Sequence, residues 1–124
     1  MPRIFLTLGS INAFLCVLLG ALGAHGLKHI LTSEMLVVFQ TAVQYHFYHA
    51  LGMILVGLVL FHLPQSRTLK LSGWLMFAGI VLFSGTLYAI SLTEFRGLSK
   101  IAPLGGLSYM SSWILFAYAA WTSK

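Results

Sequence analysis

Charge is what this 124-residue chain has least of: seven Lys and Arg and two Asp and Glu together make 7% of the residues. A water-soluble surface carries roughly a quarter to a third charged residues, so this polypeptide cannot cover itself for water. Cys16 is the only cysteine, which excludes an intramolecular disulfide and a cysteine metal cluster. Soluble enzyme, secreted disulfide domain and disordered tail are all excluded by composition. The net charge of +5 would point to nucleic acid in a soluble protein, but the basic residues are scattered through separate interhelical and terminal stretches. Nothing forms a phosphate-tracking groove, and no nucleic-acid partner is expected.

What is present is apolar: 59% of the residues are hydrophobic before the 12 glycines are counted, against roughly 45–50% with glycine included in soluble domains. The lipid bilayer is therefore the expected solvent. Four apolar stretches, each near the roughly 20 residues a membrane span requires, cover about 4–24, 44–63, 71–92 and 103–121. Continuous apolar runs such as Phe14-Leu15-Cys16-Val17-Leu18-Leu19 lack the alternation of a β-barrel strand. The expected fold is all-α, a polytopic four-transmembrane-helix bundle forming one integral membrane domain over residues 1–124. Ser33, a suitable N-cap, followed by Glu34 opens helical pattern that continues to Leu63, where Pro64 stops it. Because that length exceeds the roughly 30 Å hydrocarbon layer, residues 34–43 are expected to form an interfacial amphipathic helix before the second span, with tilt as the alternative.

An apolar run from Ile4 to Ala24 is longer than the roughly 7–15 residues of a cleavable signal core, so the first helix is expected to be retained. Four crossings put both termini on one side. Arg3, Arg67, Lys70 and Lys124 then face Lys28, Arg96 and Lys100 across the bilayer, a slight bias that places the termini in the cytoplasm. Trp74 and Trp121 lie near the side bearing the termini, as an interfacial belt would.

In lipid, helix association depends on close backbone approach, so repeated small residues mark contact faces. Gly9, Ala13, Cys16, Gly20 and Ala24 form such a line on the first helix, with Asn12 beside it to offer an interhelical hydrogen bond. Gly105, Ser108, Ser112 and Ala119 form a comparable line on the fourth, after Pro103 at a helix N-terminus. Ser84, Tyr88 and Ser91 make a polar stripe on the third. Their hydroxyls either bond backbone carbonyls one turn earlier or join a polar cluster shared between helices.

Five histidines are the nearest thing to chemistry: His25, His29, His46, His49 and His62. Tyr45 and His49 share a helix face, while His46 lies about 60° to one side and Gln40 and Gln44 more than about 100° away. A haem or metal needs opposed ligands from two helices, and no such pairing is evident from depth. No Asp, Glu, Lys or Arg falls within a span, where it would mark an ion pathway. Nucleophile-elbow, phosphate-loop and His-Glu-x-x-His motifs are absent from the sequence. No enzymatic activity, metal or cofactor is expected. His25, Gln40, Tyr45, His49, Ser84 and Tyr88 stand as a candidate polar cluster.

Gly20-Ala21-Leu22-Gly23-Ala24-His25-Gly26, Gln40-Thr41 with Tyr45 and His49, Phe83-Ser84-Gly85-Thr86-Leu87-Tyr88 and Pro103-Leu104-Gly105-Gly106 together resemble the YgdD/YwdK-like small bacterial membrane proteins. This is a domain-of-unknown-function family with a relative among human transmembrane proteins. His46, where glutamine is frequent in the family, and Gln44, where a charged side chain is frequent, depart from its pattern. The resemblance implies a multi-pass protein of the bacterial cytoplasmic membrane, and it implies no substrate.

The leading expectation is a non-enzymatic membrane protein that acts through protein or lipid contacts as subunit, assembly factor or scaffold, with itself or another membrane protein as partner. The alternatives are a homo-oligomeric carrier or channel for a small solute or proton, and a redox accessory that binds haem or quinone near His49, Tyr45 and Tyr88.

Overall fold

The structure, a computed structural model, describes residues 2–123; Lys124, counted above with the terminal basic residues, lies outside them. Backbone polar groups in hydrocarbon must be satisfied within their own segment, and the described residues are helical with short turns. The helices are α1 (Pro2–His25), α2 (Ser33–Leu60), α3 (Arg67–Gly79), α4 (Gly85–Thr93) and α5 (Ala102–Trp121). A π-turn over Ile80–Ser84 joins α3 to α4 without interruption, and short 3-10 turns cover Leu27–His29 and Arg96–Lys100. The all-α expectation agrees with this. Three helices are long and apolar enough to cross a membrane: Pro2–His29, Ser33–Leu60 and Arg67–Thr93. α5 is not among them, because Ser108, Tyr109, Ser111, Ser112 and Tyr118 dilute its apolar residues.

Polar residues set the helix ends. Thr32, one residue before the expected cap, opens α2 by accepting from the Met35 N–H at 3.1 Å. Ser66 does the same for α3 with Leu69, also at 3.1 Å. α2 ends at Leu60, a few residues short of the proline that was expected to stop it. The amphipathic segment expected over 34–43 is not a separate element. α2 is one helix through that region, and Met35, Phe39 and Ala42 are buried in it. Its first turns are fixed by packing on α1, where Gly23 lies under the Phe39 ring.

Neighbours run antiparallel. Gly9 of α1 faces Ala50 and Ile54 of α2, and Gly20 faces Val43. α3 and α5 are joined where the Ser72 hydroxyl donates to the Ser112 carbonyl at 2.6 Å and the Ser108 hydroxyl to the Leu75 carbonyl at 2.7 Å. At Gly105 the α5 backbone lies against the backbone of Leu82 and Phe83 in the π-turn, leaving no room for a Cβ. Phe5, Met53, Val56, Leu60, Leu69 and Met76 fill a core at the end bearing Arg3 and Arg67. At the other end Arg96 Nη2 lies 3.1 Å from Glu34 Oε1. That exposed pair contributes little energy, but it ties the start of α2 to the α4–α5 connection.

The small-residue line of α1 follows the structure only partly. Gly9 and Cys16 are buried, Ala13 and Gly20 half-buried and Ala24 exposed, while Asn12 and Gly23 complete the contact. Successive steps of four overrun the 3.6-residue turn, so Ala24 has rotated about 60° from Gly9. On α5, Gly105, Ser112 and Ala119 are buried and Ser108 half-buried.

Candidate functional site

His46 and His49 lie on the buried side of α2, each 4% exposed. They enter different networks because their positions on the helix differ by about 60°. His46 faces α1 and α4. Its Nε2 is 2.9 Å from Asn12 Oδ1 and its Nδ1 2.9 Å from the Tyr88 hydroxyl. Asn12 uses its amide N–H on the Leu8 carbonyl at 2.8 Å, so its Oδ1 must accept, and Nε2 of a neutral His46 ring carries the proton. Nδ1 then accepts from Tyr88. One imidazole thereby joins three helices.

His49 faces α5. Nδ1 is 2.7 Å from the Tyr45 carbonyl, which only accepts, so this nitrogen donates. Nε2 accepts from Trp113 Nε1 at 2.9 Å. The ring stacks on Tyr109 with centroids 3.5 Å apart and planes 10° from parallel, and the Tyr109 hydroxyl lies 2.9 Å from Ser84 Oγ. Gly79 makes room for Tyr109, since a Cβ there would collide with its ring.

These networks are closed. Among the described residues no buried side-chain nitrogen or oxygen lacks a hydrogen-bond partner, and each imidazole has both nitrogens committed. No three His, Cys, Asp or Glu side chains among the described residues converge as metal ligands would. The arrangement holds helices in register; a ligand atom could reach either imidazole only by displacing Asn12, Tyr88, Trp113 or a backbone carbonyl.

The cavities are lateral grooves. One, about 470 Å³, is walled by Tyr45, Tyr48, His49, Leu51, Tyr109, Met110 and Trp113 between α2 and α5. Two smaller ones lie between α1 and α2: about 290 Å³ beside Cys16, Val17, Gln44 and Phe47, and about 200 Å³ beside Gly20, Gly23 and Gln40.

Of the candidate polar cluster, Tyr45, His49 and Ser84 meet around Tyr109, and Tyr88 joins His46 instead. His25 and Gln40 are exposed and join neither network. The polar stripe of the third helical stretch divides between its two readings: Ser91 donates to the Tyr88 carbonyl, whereas Ser84 and Tyr88 reach other helices. Tyr109 and Trp113 escaped the sequence reading. Their i, i+4 spacing among the small residues of α5 was the available signal.

The family described as "Protein of unknown function (DUF423)" matches residues 19–106. The chain belongs to this family. Its relatives include the UPF0382 membrane protein YwdK of Bacillus subtilis, 49% identical over 118 residues that make up 95% of this chain and 96% of the relative. A UPF0382 membrane protein of Haemophilus influenzae is 37% identical over 124 residues, 100% of this chain and 98% of its own. One from Staphylococcus epidermidis is 38% identical over 117 residues, 94% of each. No solved structure matches. The family resemblance carried by the sequence motifs thus holds, and with it a membrane protein of an uncharacterised family. The matched range includes His46, His49, Ser84 and Tyr88 but stops short of Asn12, Tyr109 and Trp113. Each network therefore closes on residues beyond it.

Proposed function

We propose that the protein is a non-enzymatic, four-crossing component of the bacterial cytoplasmic membrane, with both termini in the cytoplasm, that acts through contacts within the bilayer. The observation that carries this reading is the contrast between a closed interior and a grooved exterior. Both buried imidazoles are fully hydrogen-bonded inside the protein, while the open concave surface faces sideways. Catalysis and transport require an interior group free to engage a substrate; docking requires a shaped outer face.

The fourth crossing is supported by depth. α5 has 20 residues, about 30 Å at 1.5 Å per residue, enough for the hydrocarbon layer. It runs beside α3 and the π-turn from Ser72 to Phe83, within the membrane-length helix Arg67–Thr93. Ser108 spends its hydroxyl on α3 and Ser112 on the α5 backbone, so these two do not face lipid unpaired.

Photo-crosslinking in intact cells from lipid-facing positions of α2, followed by purification in mild detergent, tests the reading. Specific cross-linked species that survive purification are expected. A protein that forms none and purifies as a bare single copy would overturn it, as would flux of protons or metabolites into vesicles holding it alone.

The aromatic groove favours a second reading, a binding site for a flat lipophile such as a quinone, with Trp113 in its wall. A quinone analogue would then quench the fluorescence of the purified protein, and Trp113→Phe would remove that response. Unchanged quenching in the variant would remove the reading.

A further inference from the structure

The outward face of α2 is not uniformly apolar. Gln40, Gln44 and Tyr48 follow one another at steps of four within a sector of about 80°, and all three are exposed. The same face continues as Leu51, Leu55 and Leu58. Gln44 shares a groove with Cys16 and Val17, which lie near the middle of the membrane-length helix Pro2–His29. Two adjacent spans therefore hold this amide at hydrocarbon depth, where no water is present to solvate it. Gln44 Nε2 donates to the Tyr48 hydroxyl at 2.7 Å. Among the described residues its Oε1 and second N–H have no partner, nor has any part of the Gln40 amide. Lipid offers none either, and unpaired amides are costly there.

We propose that this face is the interface between two copies of the chain, related by a two-fold axis beside Gln44, with each Gln44 amide donating to the other's carbonyl oxygen. A primary amide carries donor and acceptor on one group, so the surface is its own complement. That is the requirement of an isologous contact, in which the same patch serves both subunits. A second copy meets this need with the group already present; another polypeptide would have to bring its own donor and acceptor to the same depth. Room for approach is present. Grooves of about 290 and 200 Å³ run along the stripe. The proposal rests on the reading that the protein acts through contacts in the bilayer, and it names the partner.

The test is native mass spectrometry and cross-linking of the full chain in mild detergent and in lipid nanodiscs. Two copies per particle are expected. In a Cys16→Ala background, Leu51→Cys, exposed on the same face of α2 and leaving both glutamines in place, should give an intermolecular disulfide on mild oxidation, and Ile114→Cys, exposed on α5, should not. The Gln40→Leu/Gln44→Leu double variant should weaken the dimer about tenfold or more, given interhelical hydrogen bonds of roughly 0.6–2 kcal/mol each. Its helix content and melting temperature as a monomer should be maintained, because leucine suits a lipid-facing position. One copy bound to a different polypeptide would overturn the proposal and leave the contact reading standing, whereas one copy alone would overturn both. A dimer of undiminished strength in the double variant, or disulfide formation at Ile114→Cys but not at Leu51→Cys, would also overturn it.

Discussion

His46 and His49, both on the buried side of α2, hold their ring protons on opposite nitrogens. Asn12 Oδ1 requires a donor and sets the proton of His46 on Nε2, while the Tyr45 carbonyl sets that of His49 on Nδ1. The remaining nitrogen of each ring accepts, from Tyr88 and Trp113 respectively. Ring ¹⁵N spectra of the protein in lipid should therefore contain two buried histidines of opposite tautomer. Trp113→Phe should shift the Nε2 signal of His49 and leave His46 in place. A shared tautomer for the two rings would contradict the networks.

Removing one end of the His46 bridge should reveal its worth. Asn12→Leu leaves the Nε2–H without an acceptor, and destabilisation of about 0.6–2 kcal/mol is expected in the membrane setting. In a His46→Phe background the same substitution has no donor to strand, and its further cost should fall below about 0.5 kcal/mol. The difference is the coupling that a double-mutant cycle measures. Additive effects in unfolding titrations would show that the bridge carries no stability.

Two adjacent glycines on α5 should behave oppositely. A Cβ on Gly105 would fall 2.6 Å from the Leu82 carbonyl carbon and 2.7 Å from Phe83 Cα, both backbone atoms that cannot move aside. One on Gly106 has its nearest neighbour, Phe83 Cδ1, 4.0 Å away. Gly105→Ala should then cost about 1–3 kcal/mol as an overpacked contact, and Gly106→Ala should gain up to about 1 kcal/mol of helix propensity. Thermal unfolding in mild detergent separates them; equal effects would mean that α5 does not approach the π-turn as described.

The contrast between those glycines also shows what the sequence could and could not convey. Apolar runs in lipid have one backbone solution, the helix, so the extent of all four helical stretches was legible to within a few residues, the first half of α2 excepted as a separate segment. Local geometry was legible too: Tyr45 and His49 were placed on one face by their spacing, and Asn12 beside the α1 seam as an interhelical hydrogen-bonding group. The register of one helix against another was not. It brings Trp113 to His49 across 64 residues, substitutes Gly23 for Ala24 in the α1 contact, and separates His25 and Gln40 from the histidines of α2. No local pattern encodes the rotation and slide that decide such pairs.

The end of α4 supplies a final test, because it is closed by a residue poorly suited to its conformation. Glu94 adopts φ 57° and ψ 18°, the left-handed region, while its N–H caps the Ile90 carbonyl at 2.7 Å. Glycine enters that region freely, whereas an L-residue pays about 1–2 kcal/mol. Set against the greater freedom glycine adds to the unfolded chain, about 0.4–1 kcal/mol, Glu94→Gly should raise stability by about 0.5–1 kcal/mol. Glu94→Val, β-branched and worse in this region, should lower it by a similar amount. The Arg96 ion pair is with Glu34, not Glu94, so neither substitution removes it. Opposite shifts in melting temperature are therefore expected, and a rise or fall common to both variants would show that this turn is not held in the left-handed conformation.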